Sequence, residues 1–304
     1  MNYSKNKENT LNKITVYRPN QRHDESFFST LQEMCLNVIR SKELIWQLFK
    51  RDFFAQYKKS FLGATWIFIS PIFGIVSWLF LQVGGVLTPG DVGIPYAAYV
   101  LVGTSMWGLF LSLYQSATNT LNAGADLIMQ VNYPHEALFF QQLANQLANF
   151  LITFSFNIIA IFLIRFLNPE GFSVDFPTWG MLWFPLVILP IFFLGSALGL
   201  IISMVNIVAV DIGRFIGFGL NFGMYVTPII YSSDVITNPI IQFIIKWNPL
   251  TYLVCSARDI LIYGHLYDHN YFAFFLTATL SFLAFLFSWR LFYVSEQKLV
   301  ERMI

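Results

Sequence analysis

The sequence predicts an all-α integral membrane protein with three parts. There are six transmembrane helices, an N-terminal amphipathic interface helix, and a re-entrant helical hairpin on the outer side before the last span. Three observations carry this. Hydrophobic residues make up 56% of the 304 and charged residues only 12%, too apolar for a soluble domain of this length. Charges are absent from 60–90, 92–125, 137–164, 176–210, 215–233 and 270–289. Each run has about the 20 residues that a helix needs to cross the roughly 30 Å hydrocarbon core. Eleven of the eighteen Lys and Arg lie within the first 60 residues, and Arg290, Lys298 and Arg302 follow the last run. Positive charge marks the cytoplasmic side, so both termini are expected inside, and an even number of spans agrees.

Taken in order, 1–26 is a polar tail rich in Lys and Asn, too polar for a cleaved signal peptide and expected to be poorly ordered. Residues 27–60 read as one amphipathic helix. Leu44, Ile45, Leu48, Phe49, Phe53 and Tyr57 recur at helical spacing, while Lys50, Arg51, Lys58 and Lys59 fall elsewhere. The transmembrane domain is 61–293. Its spans are 63–87, interrupted by Pro71, then 96–117, 137–166, 181–205, 212–231 and 271–292. Between them, 119–136 is an inner segment without Lys or Arg, placed inside by span parity alone. In 234–268 two apolar pieces, too short to span, flank Lys246-Trp247-Asn248-Pro249, and a hairpin dipping into the outer face fits. A charged tail, 294–304, ends the chain. Cys35 and Cys255 fall too far apart in this scheme for a disulfide, and no metal spacing occurs.

The chain carries no phosphate loop, no G-x-G-x-x-G, no H-E-x-x-H and no G-x-S-x-G. It is therefore not an ATPase of the phosphate-loop kind. The interiors of the spans also lack ionisable side chains, which disfavours proton or sodium coupling. What they hold is uncharged polarity. Gln141, Asn145, Asn149, Thr153 and Asn157 recur every four residues, with Gln142 and Gln146 alongside. Such a stripe serves either as hydrogen-bond glue between helices or as a lining for a polar, uncharged substrate. Aromatic stripes run through Trp66, Phe73 and Phe80 and through Phe215, Phe218, Phe222 and Tyr225; they either pack, against protein or lipid, or line a path. Gly213 with Gly217, and Gly219 with Gly223, have the spacing of close helix approach. Arg258, Asp259, His265, Asp268 and His269 form an outer cluster, readable as a catalytic site or as solvated polar residues.

Four stretches carry a family resemblance. They are Arg51-Asp52 through Tyr57-Lys58 to Ser60-Phe61-Leu62-Gly63-Ala64-Thr65-Trp66 and Pro71; Leu127-Ile128 to Tyr133-Pro134; Asp211 followed by Thr227-Pro228-Ile229-Ile230-Tyr231; and Trp247-Asn248-Pro249-Leu250-Thr251-Tyr252 with Arg258. In this order, over residues 44–304, the chain resembles the type-2 ABC exporter permeases of the polysaccharide group, which export O-antigen, capsule and teichoic acid. It departs from that pattern at Gln56, Gln130, His135 and Val210, where basic residues are usual.

The resemblance implies a homodimer in the inner membrane, with two copies of a separate ATP-binding subunit that carry the ATP and Mg; this chain holds no cofactor and no metal. It implies a non-catalytic role in exporting an undecaprenyl-pyrophosphate-linked glycan, with membrane lipid and no nucleic acid as surroundings. Coupling to the ATPase would use Asn122, Asp126, Leu127, Ile128, Tyr133, Pro134 and His135. Lys50, Arg51, Lys58 and Lys59 would meet the pyrophosphate as it arrives. The path would be lined by Trp66, Phe73, Phe80, Phe215, Phe218, Phe222 and Tyr225, with an outer gate of Trp247, Asn248, Pro249 and Tyr252. The alternatives are a membrane glycosyltransferase or O-antigen ligase, and an ABC exporter of a drug or lipid.

Overall fold

The computed structural model describes residues 26–58, 63–87, 89–121 and 135–303. All regular structure among the described residues is helical. Ser26 starts α1 (Phe27–Arg40): its hydroxyl accepts the Ser29 N–H at 3.4 Å, answering one of the donors a helix start leaves unpaired. At Ser41 the chain turns, and α2 (Lys42–Lys58) follows. The single helix predicted over 27–60 is thus two, and this corrects the reading. Each has its own packing side: α1 buries Thr30 and Met34 and packs on α5 and α10, whereas α2 packs chiefly on α5.

A short 3-10 turn leads into α3 (Trp66–Val83). Then come α4 (Tyr96–Thr118) and α5 (His135–Leu167). Short turns over 179–187 enter α6 (Leu189–Asn206), and α7 (Val210–Val226) runs back. Two small helices, α8 (Pro239–Trp247) and α9 (Ser256–Ile262), precede α10 (Tyr271–Met303). Among the described residues, four segments are long and apolar enough to cross a membrane: Tyr96–Thr118, Glu136–Leu167, Trp179–Asn206 and Tyr271–Ser295. They match the second, third, fourth and sixth predicted spans. The first and fifth hold α3, of 18 residues, and α7, of 17.

Helix α6 is the centre, packed between α4 and α10. Its first partner comes very close because two glycines clear the way. A Cβ on Gly199 would lie 2.5 Å from the Cβ of Ala117 and 2.5 Å from the Tyr114 carbonyl, and one on Gly195 would lie 3.0 Å from the Phe110 carbonyl. With no side chain between them, the two backbones gain dispersion contact that lipid cannot replace. The glycines picked out from spacing, on α7, behave differently. A Cβ on Gly217 or Gly219 meets nothing within 4 Å; only Gly213, against the Asn206 side chain, and Gly223, against Trp107, are approached. The close-approach motif of this fold is therefore Gly195 and Gly199 on α6.

Replacing Gly199 by Leu is expected to cost about 1–3 kcal/mol through overpacking, and Gly108→Ala, with open space at its Cβ, to raise stability by about 0.5–1 kcal/mol through helix propensity. Thermal unfolding of the two purified variants checks this contrast.

Candidate functional site

The polar stripe of α5 meets three other helices. At its start, Gln141 donates Nε2–H to Asp52 Oδ2 at 3.1 Å, and the other oxygen of Asp52 takes the Arg51 Nε–H at 2.6 Å. About two turns on, Asn149 exchanges amide hydrogen bonds with Gln56, at 3.1 and 3.4 Å. Further along, Asn157 donates to Ser105 on α4. These bonds fasten α5 to α2 and α4, as a hydrogen-bond glue would. The stripe also borders open space. Between α3, α4 and α5 lies a cleft of about 380 Å³ lined by Gly74, Thr104, Ser105, Gly108, Ser112, Gln146, Asn149 and Thr153 among others. Beside it, sharing Gln146, a second cavity of about 220 Å³ reaches Asp52, Ser116, Asn119 and Asn145. The stripe therefore fastens helices and also borders two cavities, and Asn149 does both. The α4 side of the cleft escaped sequence reading, although Thr104, Ser105 and Ser112 stand out as hydroxyls in an otherwise apolar run.

The basic residues of α2 divide. Arg51 is paired with Asp52, with the two side chains 55% and 38% exposed, so its charge is half answered already. The Lys50 ammonium lies 5.0 Å from the centre of the Trp46 ring. Lys58 ends α2, and Lys59 lies outside the described residues. Next to α2, an apolar groove of about 530 Å³ runs between α1 and α5 past Lys42 and Trp46.

All seven aromatic residues named for the path are exposed on the single chain, from Trp66 at 49% to Phe215 at 79%. None is locked in the core. Rings of α3 and α7 approach each other at Trp78 and Tyr225, 6.5 Å between centroids. Of the residues named for coupling, 122–134 lie outside the described residues, and His135 begins α5.

The hairpin region is bolted to the end of α7. Asn248 donates to Thr227 Oγ1 at 2.9 Å and accepts the Leu250 N–H at 3.0 Å. Tyr252 donates its hydroxyl to the Lys246 carbonyl, while Trp247 and Pro249 are exposed. A π-helical turn, Thr251–Cys255, then carries the chain into α9. There Arg258 sits 3% exposed, donating Nη1–H to the Pro228 carbonyl at 2.7 Å and Nε–H to Asp259 at 2.7 Å. Its guanidinium lies 4.2 Å from the centre of the Tyr99 ring, and Tyr99 in turn donates to the Tyr231 carbonyl. Burial pushes the Asp259 carboxyl upward and Arg258 pulls it back. For Arg258 and Asp259 this overturns the solvated reading: both are almost fully buried, and with Asp91, His265 and Asp268 they line a cavity of about 420 Å³. They are a buried ion pair joining two of the four motif stretches in space. Asp268 and His269 are exposed and His265 is half-buried. Cys35 and Cys255 are both free thiols, and no metal-holding group of three His, Cys, Asp or Glu occurs among the described residues.

Comparison with known proteins places this geometry. A family model described as ABC-2 type transporter matches residues 43–262, from α2 to the end of α9. Two proteins named O-antigen export system permease protein RfbA, both from Klebsiella pneumoniae, are 28% and 27% identical to the chain over 229 and 228 residues. The alignments cover 74% and 73% of this chain and 82% and 81% of theirs. A third protein of that name, from Myxococcus xanthus, is 23% identical over 75% of the chain and 81% of its own length.

Removing Arg258 strands a buried carboxylate. Arg258→Ala is expected to destabilise the protein by about 3–5 kcal/mol, and Arg258→Met with Asp259→Leu together to recover much of that loss. Denaturant unfolding of the single and double variants measures both; a double variant no better than the single one counts against a mainly structural pair.

Proposed function

The chain belongs to the ABC-2 type transporter family, and from that premise we propose that it is the permease subunit of an exporter that moves a lipid-linked polysaccharide of the O-antigen kind across the inner membrane. The observation that carries the reading is a bundle whose spans hold uncharged amides, hydroxyls and exposed aromatics but no ionisable group in their interiors. Such a bundle offers a sugar polymer hydrogen bonds and stacking surface without fixed charge to hold it back. It also has no internal means of coupling to an ion gradient. The energy comes from a separate ATP-binding subunit, present in two copies and carrying the ATP and Mg. This chain is not itself an enzyme.

In this reading the permease is a homodimer of six-span subunits with both termini cytoplasmic. Segment 119–136 couples to the ATPase through Asn122, Asp126, Leu127, Ile128, Tyr133, Pro134 and His135. The undecaprenyl pyrophosphate arrives beside α2, where Lys50, Lys58 and Lys59 supply cations and Arg51 does so in competition with Asp52. The glycan passes along the exposed aromatics of α3 and α7. The 234–268 hairpin is re-entrant on the outer side, with Trp247, Asn248, Pro249 and Tyr252 at its gate. The ligase reading loses ground because Arg258 and Asp259, two of its candidate groups, are buried against each other.

Deleting the gene should abolish surface polymer while undecaprenyl-linked polymer builds up inside the cell; unchanged surface polymer overturns the proposal. Changing Leu127 and Ile128 together to Asp should leave membrane abundance intact but uncouple ATP hydrolysis from export, since a docking segment needs apolar anchors. Normal export by that double variant would remove the coupling assignment.

For the path, Phe73→Ala or Phe222→Ala should lower surface polymer at unchanged protein level. A ring that is 65% or 66% exposed lacks the contacts whose loss would cost the about 3–5 kcal/mol of a core truncation. Polymer falling only in step with protein abundance would show that these rings pack.

A further inference from the structure

The α5 stripe does two jobs, and protein answers only one of them. Gln141, Asn149 and Asn157 bond to Asp52, Gln56 and Ser105. Gln146 and Thr153 line the cleft between α3, α4 and α5, yet neither side chain makes a hydrogen bond to protein among the described residues. In the adjoining cavity the Asn145 amide oxygen is buried and without a partner. An amide at this depth that no protein group meets is satisfied by water or by a ligand. The hollow is real in the backbone as well: a Cβ added to Gly74 or to Gly108, on opposite walls, meets nothing within 4 Å.

Size and chemistry narrow the occupant. At about 380 Å³ the cleft falls within the range of small-molecule pockets, which begin at about 300 Å³. No charged side chain lines it, so it offers nothing to a phosphate or a metal ion. Hydroxyls on α4 face amides on α5 across a wall that also holds Ile75, Leu101, Leu109 and Phe150. Thr104, Ser105 and Ser112 give their protons to their own helix and keep oxygens to accept with, while the Gln146 amide can donate, so the cleft suits a neutral molecule with both hydroxyls and C–H faces. Gln146 joins it to the cavity that reaches Asp52, and Gln56 of α2 stands at Asn149, so this end of the cleft lies beside the basic helix.

We propose that the cleft between α3, α4 and α5 is a water-filled binding site, inside each copy of the chain, for one uncharged sugar unit of the transported molecule. The proposal rests on the permease reading. It places a sugar on the amide wall of α5, apart from the exposed aromatic faces of α3 and α7.

Thiol labelling tests it in the membrane of the native host, with the whole transporter present. Cys35→Ser removes the exposed native thiol; Cys255 is fully buried and stays. Thr153→Cys and Ser112→Cys then place single cysteines on the two walls, the second serving if the first fails to accumulate. Ile159→Cys, on the 62% exposed outer face of α5, is the lipid-facing control. A cationic thiosulfonate reagent should modify the cleft cysteines at least about tenfold faster than the control, because such chemistry needs a hydrated thiolate.

In cells that make the glycan, labelling should be slower than in a strain blocked at the first sugar transfer to the lipid carrier. The expected factor is about threefold, the 1 + [L]/Kd of a ligand near twice its dissociation constant. Cleft cysteines as unreactive as the control would overturn the proposal by showing a dry cleft. Fast labelling with no protection by the glycan would overturn it by leaving water alone in the site. The gene deletion separates the two ideas: surface polymer lost on deletion, with no protection, fells the cleft alone, whereas surface polymer retained on deletion fells the permease reading.

Discussion

Hydrocarbon offers a hydrogen bond nothing, so each polar atom between these helices must be met by another part of the chain, by trapped water or by a ligand. The arrangement follows from that constraint. Amides spaced every four residues along α5 hold α2 and α4 in place because no other partners are within reach. Hydroxyls within the spans return to the carbonyls of their own helix, as Thr104 does to Val100 at 2.6 Å and Ser281 to Thr277 at 2.7 Å. Tyr96 and Tyr99 reach from the start of α4 to the Ile230 and Tyr231 carbonyls, where the chain leaves α7 and its backbone has no helical partner. Where the protein does not complete the set, at Gln146 and Thr153, there is a cavity.

The helices that cross were legible because their signal is one of composition over about 20 residues, and 96–118, 136–167, 179–206 and 271–295 stand clear in it. The break at Ser41 was not, since 27–60 keeps one amphipathic period across it. Spacing also misled at the glycines. Gly213 with Gly217, and Gly219 with Gly223, have the separation of a contact motif, but only one glycine of each pair is approached; a helix has many faces and packing decides which is used. Gly195 and Gly199 have the same four-residue separation in an equally apolar run, and spacing alone does not say which pair meets a neighbour.

At the site the limits were of another kind. The α5 stripe was visible because amides are rare in an apolar span, while its division into bonded and open residues depends on what faces each turn. Arg258 and Asp259 read as surface residues because charge next to a chain turn usually is. Their burial depends on the Pro228 carbonyl and the Tyr99 ring, which come from 30 and 159 residues earlier in the sequence. The aromatic stripes keep both readings open in a single copy, since an exposed ring is equally exposed to lipid, to a second copy or to a passing chain.

The π turn at Thr251–Cys255 has a consequence for how this region can change over time. Such a turn houses one residue more than an α-helical turn does. Losing one residue there would let the turn close into ordinary α geometry with later residues still on the same face, whereas losing one from the α-helical residues that follow would rotate them by about 100°. Arg258 would keep the Pro228 carbonyl after the first change and lose it after the second. The π turn is thus the one place in this stretch where length can give by a residue, while burial of Thr251, Leu253, Val254 and Cys255 holds its composition.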